Sequence, residues 1–357
     1  MKAAQQSSDQ YNFVMVDSNA EGTSNPQQLG EFELIERINQ LIIQSAGDED
    51  NSVIRGIGDD AALVRSHSGI SVLTTDAIVD GIHFRREDNR WFDLGWKCAV
   101  SNLSDIASMG AIPDHALITL GLPKNYDLES VERLYKGFIA AFREFGGAIV
   151  GGDVVSSPTS FVNIALTGHL KSNGGDNEGM TRSQAKAGDH IYVSGPLGGS
   201  AAGLELLNRS ISSNVATDLI NRHFRPKPRV DLGQRLLEAG VRCAMDVSDG
   251  LTGDLEKMAK VSKVGFEIQL EKVPIEPGLE ALFPNVAIDM ALNGGEDYEL
   301  VFTGSSDVVE SSALSGFNLT EIGKVVIQRD SGPLVTVLNA EGNAYEPSTK
   351  SWDHLNG

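Results

Sequence analysis

Cysteine is scarce in this chain: its 357 residues include two, Cys98 and Cys243. They stand far apart in dissimilar apolar surroundings, with no Cys or His nearby at ligand spacing. The pair therefore suggests neither a disulfide framework nor a zinc site, and both read as small buried hydrophobes. Long apolar runs are missing too, none approaching the roughly 20 residues of a membrane span, so no membrane association is expected. The N-terminus, MKAAQQSSDQYNFVMVDSNAEG, has one Lys and no continuous apolar stretch. It does not read as a secretory signal, and the cytoplasm is the expected compartment. Positive charge is in deficit, with 29 Lys and Arg against 49 Asp and Glu and a formal net charge of −20. That balance opposes binding to nucleic acid or anionic membranes through a general basic surface. GPLGGSAAG resembles a phosphate-cradling loop but lacks the Lys-Ser/Thr of a P-loop, and HRD and DFG signatures are absent.

What remains is the composition of a globular protein, 41% hydrophobic and 22% charged. The length suits two domains of common size, which implies a cleft. Residues 1–28 are polar, aperiodic and rich in Gln, Ser and Asn, and are expected to form a disordered extension. GEFELIERINQLIIQSA then places Phe32, Ile35, Ile38, Leu41 and Ile42 on one helical face. ISVLTTD reads as a strand ending at a carboxylate. WFDLGWKCAVSNLSDIASMG reads as a helix capped by Asp93, with Asn102 and Asp105 three residues apart on its less apolar side. DHALITLGL, AIVGGD and TSFVNIALTGHL read as strands and DLESVERLYKGFIAAFREFG as an amphipathic helix. The Gly/Asn/Asp-rich KSNGGDNEGM, residues 171–180, is the expected junction between an N-terminal domain, 29–171, and a C-terminal domain, 172–357. The second half repeats the alternation, so the class is α/β (α+β).

The informative feature is a series of aspartates in glycine-flanked runs: GIGDDAAL, TTDAIVDGIHF, NLSDIASMGA, VGGDVV, AMDVSDGL and GGEDYELVF. Carboxylates gathered in one pocket repel by several kcal/mol unless hard cations such as Mg²⁺ lie among them. Such a pocket in turn suits polyphosphate, so phosphoryl transfer from a nucleotide is the first reading. Asp246 and Asp249 flank Ser248 where a strand gives way to a helix, an arrangement that also suits phosphate. Capping explains one of those aspartates but not both. Asp105 lies within a largely apolar helix and has to face water, a partner or a metal. Asp60 follows a glycine turn, Asp76 ends a strand, and Gly152 and Asp153 open a close approach for ligand; a plain turn or cap is the alternative at each. Arg182, beside the junction, suits phosphate or plain solvent.

In order and at similar spacing, GEFELI, GIGDDAA, TTDAIVDGIHF, NLSDIASMGA, GGD, TRSQAKAGD, DVSDGL, GGEDYEL and SWDHL resemble the thiamine-monophosphate kinase family. Its superfamily includes aminoimidazole ribonucleotide synthetase and selenophosphate synthetase. The resemblance runs from about Gly30 to near the C-terminus. It implies ATP-dependent phosphorylation of thiamine monophosphate to thiamine diphosphate by direct transfer with several Mg²⁺ ions. It also implies a homodimer built on a mixed-sheet N-terminal domain, with the active site in the cleft against the C-terminal α/β domain. By position it assigns Asp60, Thr74, Thr75, Asp76, Asp105, Asp153, Asp246 and Asp249 to the magnesium shell. Gly152, Asp153, Arg182 and Ser248 fall to the nucleotide, and His83, Glu296 and Trp352 to the thiamine phosphate. A carboxylate and an aromatic face suit a cationic thiazolium and an aminopyrimidine, although Trp352 stands where the family often has Tyr or Phe. No covalent protein nucleophile is implied. A sister ATP-dependent synthetase and a noncatalytic nucleotide or divalent-metal binder are the alternatives. The absence of a reactive Cys in an N-terminal glycine-rich loop, and an ending in DHLNG instead of a cysteine, weigh against selenophosphate synthetase and a hydrogenase-maturation relative.

Overall fold

The computed structural model describes residues 29–45, 52–57, 61–67, 69–171, 179–209, 213–309 and 314–352. The expected extension, Asp60 and most of the 171–180 junction lie outside them. In chain order the elements begin with α1 (Glu31–Ser45), β1 (Val53–Arg55), β2 (Leu63–Val64) and β3 (Ser71–Val79). Then come α2 (Trp91–Ser108), β4 (Ile112–Leu122), α3 (Leu128–Phe145), β5 (Ala148–Ser156) and β6 (Phe161–His169). The second half holds β7 (His190–Val193), α4 (Gly199–Arg209), α5 (Asn214–Phe224), α6 (Val230–Ala239), β8 (Cys243–Asp246), α7 (Leu251–Ser262) and β9 (Val264–Gln269). It closes with α8 (Leu279–Leu282), α9 (Ala287–Asn293), β10 (Leu300–Gly304), α10 (Ser306–Val309), β11 (Thr320–Ile327), β12 (Val335–Leu338) and β13 (Ala344–Tyr345). No helix of the described residues is long and apolar enough to cross a membrane.

Two mixed sheets organise the chain. The first has order β3-β6-β4-β5, with β4 and β5 parallel and the other pairs antiparallel. The second has seven strands in the order β13-β12-β9-β11-β7-β10-β8. In the first sheet the period of two sends Val162, Ile164 and Leu166 into the core while Phe161, Asn163, Ala165, Thr167 and His169 stay half-exposed. In the second sheet Tyr192, Phe302, Ala244 and Leu300 join a core shared with α2, α3 and the first sheet. Their neighbours Ile191, Val193, Val301, Cys243 and Met245 feed a separate core with α7 and β9. Apolar packing is therefore continuous between the sheets.

Helix α2 is the hinge of this packing, buried along almost its whole length. It approaches α3 so closely that a Cβ on Gly95 would stand 2.0 Å from the Leu134 carbonyl oxygen, and it meets α6 where a Cβ on Gly233 would stand 2.0 Å from that of Ala107. Three sequence expectations change here. Asp93 does not cap α2: the cap position is Arg90, and the Asp93 carboxylate instead bridges Arg225 at 2.5 Å and Arg90 at 3.1 Å, fastening α2 to the end of α5. Strand β3 runs beyond Asp76 to Val79 and β5 beyond Asp153 to Ser156, because ladder pairing with β6 and β4 continues past each carboxylate. In α1 the buried stripe is Leu34, Ile38 and Leu41, with Ile35 and Ile42 half-buried; the side chain of Phe32 lies outside the described residues. Both cysteines are buried and free.

Gly233→Val places methyl groups against the α2 backbone and is expected to destabilise the fold by about 1–3 kcal/mol. An unchanged urea midpoint would mean that the two helices do not meet at this point.

Candidate active site

One face of α2 lines a cavity of about 750 Å³ through Leu94, Lys97, Ser101 and Asp105, residues three or four apart as the helical period requires. Lys97 and Asp105 are thereby held roughly 12 Å apart along the axis. This separation gives the cavity two chemically different ends.

The acidic end gathers Asp76 from β3, Asp105 from α2, Asp246 from the end of β8 and Asp249 from the turn between β8 and α7. Thr74 Oγ1 donates to Asp105 Oδ2, and Ser104 Oγ donates to Asp246 Oδ2 at 2.8 Å. Burial, then the charges of Asp105 and Asp254, push the Asp246 carboxyl up to about 8. Burial also raises Asp105, against the bond from Thr74 and the charge of Arg182. The donors are oxygen only, and the crowding is of the kind a bound cation reverses, so these residues fit hard divalent cations. Asp249 is paired with Lys257 at 2.5 Å.

The basic end is built around Lys97, 4% exposed, whose Nζ lies 2.6 Å from Glu296 Oε2 and 3.4 Å from His223 Nε2. Burial and then Lys97 hold the His223 ring well below its usual value, so it is neutral at pH 7. Ser200 Oγ lies 3.0 Å from His223 Nδ1. Glu296 and Tyr298 both adopt positive φ, 65° and 52°, a strained geometry that packing has to hold in place. Arg86, Arg90, Phe84, Trp91 and Phe224 complete this wall, with the Arg90 guanidinium 4.4 Å from the Phe224 ring centroid.

Two glycine-flanked turns that look ready for phosphate are filled from within. In GPLGGS the amides of Gly198 and Ser200 donate to Asp297 at 2.6 and 3.0 Å. In DVSDG the amides of Ser248 and Asp249 donate to Asp254 at 3.0 and 3.1 Å. Neither turn offers those amides to a ligand.

Of the residues singled out from sequence, Asp76, His83, Asp105, Arg182, Asp246, Ser248, Asp249, Glu296 and Trp352 all line the cavity. His83 Nδ1 accepts from the Val79 amide at 3.1 Å, which places any single ring proton on Nε2. Trp352 is 49% exposed, its amide donating to the Asp249 carbonyl at 3.0 Å. Thr74 reaches the site through Asp105, whereas Thr75 Oγ1 accepts from Asn163 Nδ2 at 2.9 Å. Gly152 and Asp153 are exposed on edge strand β5 and do not line the cavity. Asn102 is fully buried, its amide nitrogen donating to the Cys98 carbonyl at 3.0 Å, and so does not share the direction of Asp105. Sequence reading missed Lys97, His223, Asp254 and Asp297. A lysine within the apolar and small-residue run WKCAVSN was the available signal for Lys97.

A fold of two mixed sheets around a cavity with an acidic floor and a basic wall defines a class. The family models for AIR synthase related proteins match it, the N-terminal domain over residues 58–170 and the C-terminal domain over 186–334. The thiamine-monophosphate kinase of Bacillus subtilis is 34% identical over 92% of this chain and 100% of its own length. That of Aquifex aeolicus is 34% identical over 92% and 99%. The crystal structure of thiamine-monophosphate kinase from Stenotrophomonas maltophilia K279a is 35% identical and superposes with a TM-score of 0.74 over 89% of this chain and 98% of that one. AaThiL complexed with AMPPCP and TMP is 32% identical with a TM-score of 0.71 over 93% and 100%. The chain belongs to the thiamine-monophosphate kinase family. A hydrogenase maturation protein HypE in complex with ATP, 21% identical with a TM-score of 0.71, shares the fold.

The raised Asp246 carboxyl gives a pH signature. In metal-free protein the folded state holds this proton between the ordinary carboxylate range and about 8, and the unfolded state does not. Stability is then full at acidic pH and lost as pH rises through that window. Asp246→Asn is expected to flatten this loss, read as thermal midpoint against pH in EDTA. Parallel wild-type and variant profiles would refute the assignment.

Proposed function

We propose that this protein transfers the γ-phosphoryl group of ATP to thiamine monophosphate, giving thiamine diphosphate, by direct in-line displacement. The observation that carries the reading is the two-ended cavity, four carboxylates at one end and buried Lys97 with an arginine and aromatic wall at the other. Family membership and the AMPPCP and TMP named for a relative at 32% identity support the choice of substrates.

The chain's own part is alignment and charge control. The acceptor phosphate is largely ionised at neutral pH, so the protein has to hold two repelling anions in line and needs no general base of high strength. Arg182 beside Asp105 suits the nucleotide phosphates, and Lys97, Arg86 and Arg90 suit the anionic acceptor. Glu296 has its first partner in Lys97; it holds that ammonium in position and leaves the second carboxylate oxygen for the cationic thiazolium. Trp91, Phe84 and Trp352 offer faces for its rings. Asp76, Asp105, Asp246 and Asp249 would hold several Mg²⁺ ions, with Asp60 as a further proposed ligand. When bound, Mg²⁺ screens phosphate charge and stabilises the charge that develops during transfer.

We also propose a division at 171–180 into domains 29–171 and 172–357, and a homodimer through the first sheet. Support for the dimer lies on the half-exposed face of that sheet, where Leu73 is 74% and Leu117 47% exposed. They are in register with Thr167 and Ala165 of β6, an apolar patch suited to a second copy.

The assay is ADP release and thiamine diphosphate formation with ATP, Mg²⁺ and thiamine monophosphate, against free thiamine and a no-acceptor control. Product requiring both the monophosphate and Mg²⁺ is expected. Asp246→Asn and Asp249→Asn should each lower kcat by about 100-fold or more with the fold intact, and near-normal turnover in both would end the proposal. For the dimer, Leu73→Asp combined with Leu117→Asp is expected to halve the mass measured by light scattering. A wild-type protein that is already monomeric would remove that part.

A further inference from the structure

Far from the cavity, three side chains from separate stretches of chain meet at one end of the first sheet. Asp114 lies on β4 and His169 closes β6, where it is in register with both Ser71 and Ile112. His67 approaches from the segment that precedes β3. Asp114 Oδ1 stands 2.8 Å from His169 Nδ1 and 3.5 Å from His67 Nε2. The two imidazoles are stacked, with centroids 3.8 Å apart and planes inclined by 19°. One ligand atom from each of the three residues falls within 4.8 Å of the others.

We propose that His67, Asp114 and His169 bind a borderline divalent transition metal, of which Zn²⁺ is the type. Two imidazole nitrogens and a carboxylate oxygen are the donors such ions prefer, unlike the all-oxygen set in the cavity that suits Mg²⁺. Ligand atoms about 2.0–2.1 Å from a tetrahedral zinc stand roughly 3.4 Å from one another; the 3.5 Å approach of His67 to Asp114 matches that spacing, whereas the 2.8 Å contact of His169 with Asp114 is a hydrogen bond that has to open for an ion to enter. Asp114 pairs with both rings, and the stacked rings do not yet face one ion, since a metal lies in the plane of each imidazole that binds it. What supports a metal is the convergence of two ring nitrogens and a carboxylate oxygen from three separate stretches of chain, with the open His67 ring able to swing out of the stack.

The framework is half-built and half-adjustable. The side chains of Asp114 and His169 are 14% and 19% exposed on paired strands, and a register shift between Pro113 and Ala116 re-aims Asp114. His67 is more open and can close onto an ion, leaving a fourth position for water. The metal acts as a clip that fastens the segment before β3 to the sheet. Its binding does not depend on the kinase reading.

The test uses full-length, metal-stripped protein in excess Mg²⁺, which occupies oxygen-only donors, titrated with Co²⁺ and followed by visible d–d absorption, then by Zn²⁺ displacement. One saturable Co²⁺ per chain is expected, weakened about tenfold or more by His67→Ala and by His169→Ala. The urea midpoint of the His67→Ala protein should be unchanged without metal and should lose the upward shift that Zn²⁺ gives wild type. No saturable band in Mg²⁺, or a band of full affinity in the His67→Ala protein, would overturn the site, and that variant decides alone if His169→Ala does not fold.

Discussion

Helix α2 has to satisfy two sheets at once, and the functional chemistry follows from how it does so. A helix buried on nearly every side has no solvated face on which to put polar groups, so each one it carries needs a partner, either a carbonyl of its own preceding turn, as for Ser101 and Asn102, or a group across a packed interface. Lys97 finds Glu296 and His223, Ser104 finds Asp246, and Asp105 finds Thr74. All of these partners lie on other elements, so the closeness allowed by Gly95 and Gly233 sets the positions of the cavity groups as well as the packing. Buried charge is a poor source of stability. Its retention here, on the face of α2 that lines the cavity, is understandable as positioning.

The filled turns sharpen that view. Asp297 and Asp254 take the amides that glycine-rich sequence would have reserved for phosphate. Each carboxyl ties two amides of its turn together, although burial raises both groups, Asp297 up to about 7. On the proposed reading, anion recognition would therefore fall to side-chain cations and to the oxygen donors that suit Mg²⁺ instead of to these backbone amides. The positive φ at Glu296 and Tyr298 sits on either side of Asp297, so the bonds that anchor Asp297 also hold the strained residues whose side chains line the basic end.

Much of this was legible in sequence, and for identifiable reasons. Strand ends and helix starts leave local signals, so the turn around Asp246, Ser248 and Asp249 and the amphipathic α3 could be read directly. Strand lengths could not, because ladder pairing with a remote neighbour extends β3 past Asp76 and β5 past Asp153. Asp93 looked like a cap because caps are local, whereas its partner Arg225 lies 132 residues away. Lys97 and His223 are likewise separated by 126 residues. Neither reveals its role until α2 and α5 are packed together.

The same limit explains why the histidine cluster left no trace in sequence. His67, Asp114 and His169 obey no ligand spacing, since 114 comes near 169 only through the β4–β6 ladder, which pairs 169 with 112, and the register shift that follows Pro113. Affinity rises from Mg²⁺-like ions toward Zn²⁺ at almost any donor set, so an all-oxygen cavity does not by itself reject the softer ion. A separate pair of imidazoles with a carboxylate gives that ion a better-matched place some distance from the acidic floor. Two donor sets of different hardness, one at the end of the first sheet and one where β3, α2 and the end of β8 meet, would then divide the ions by chemistry: on the proposed reading, Mg²⁺ where phosphate has to be screened, and a borderline metal where a segment of chain has to be held.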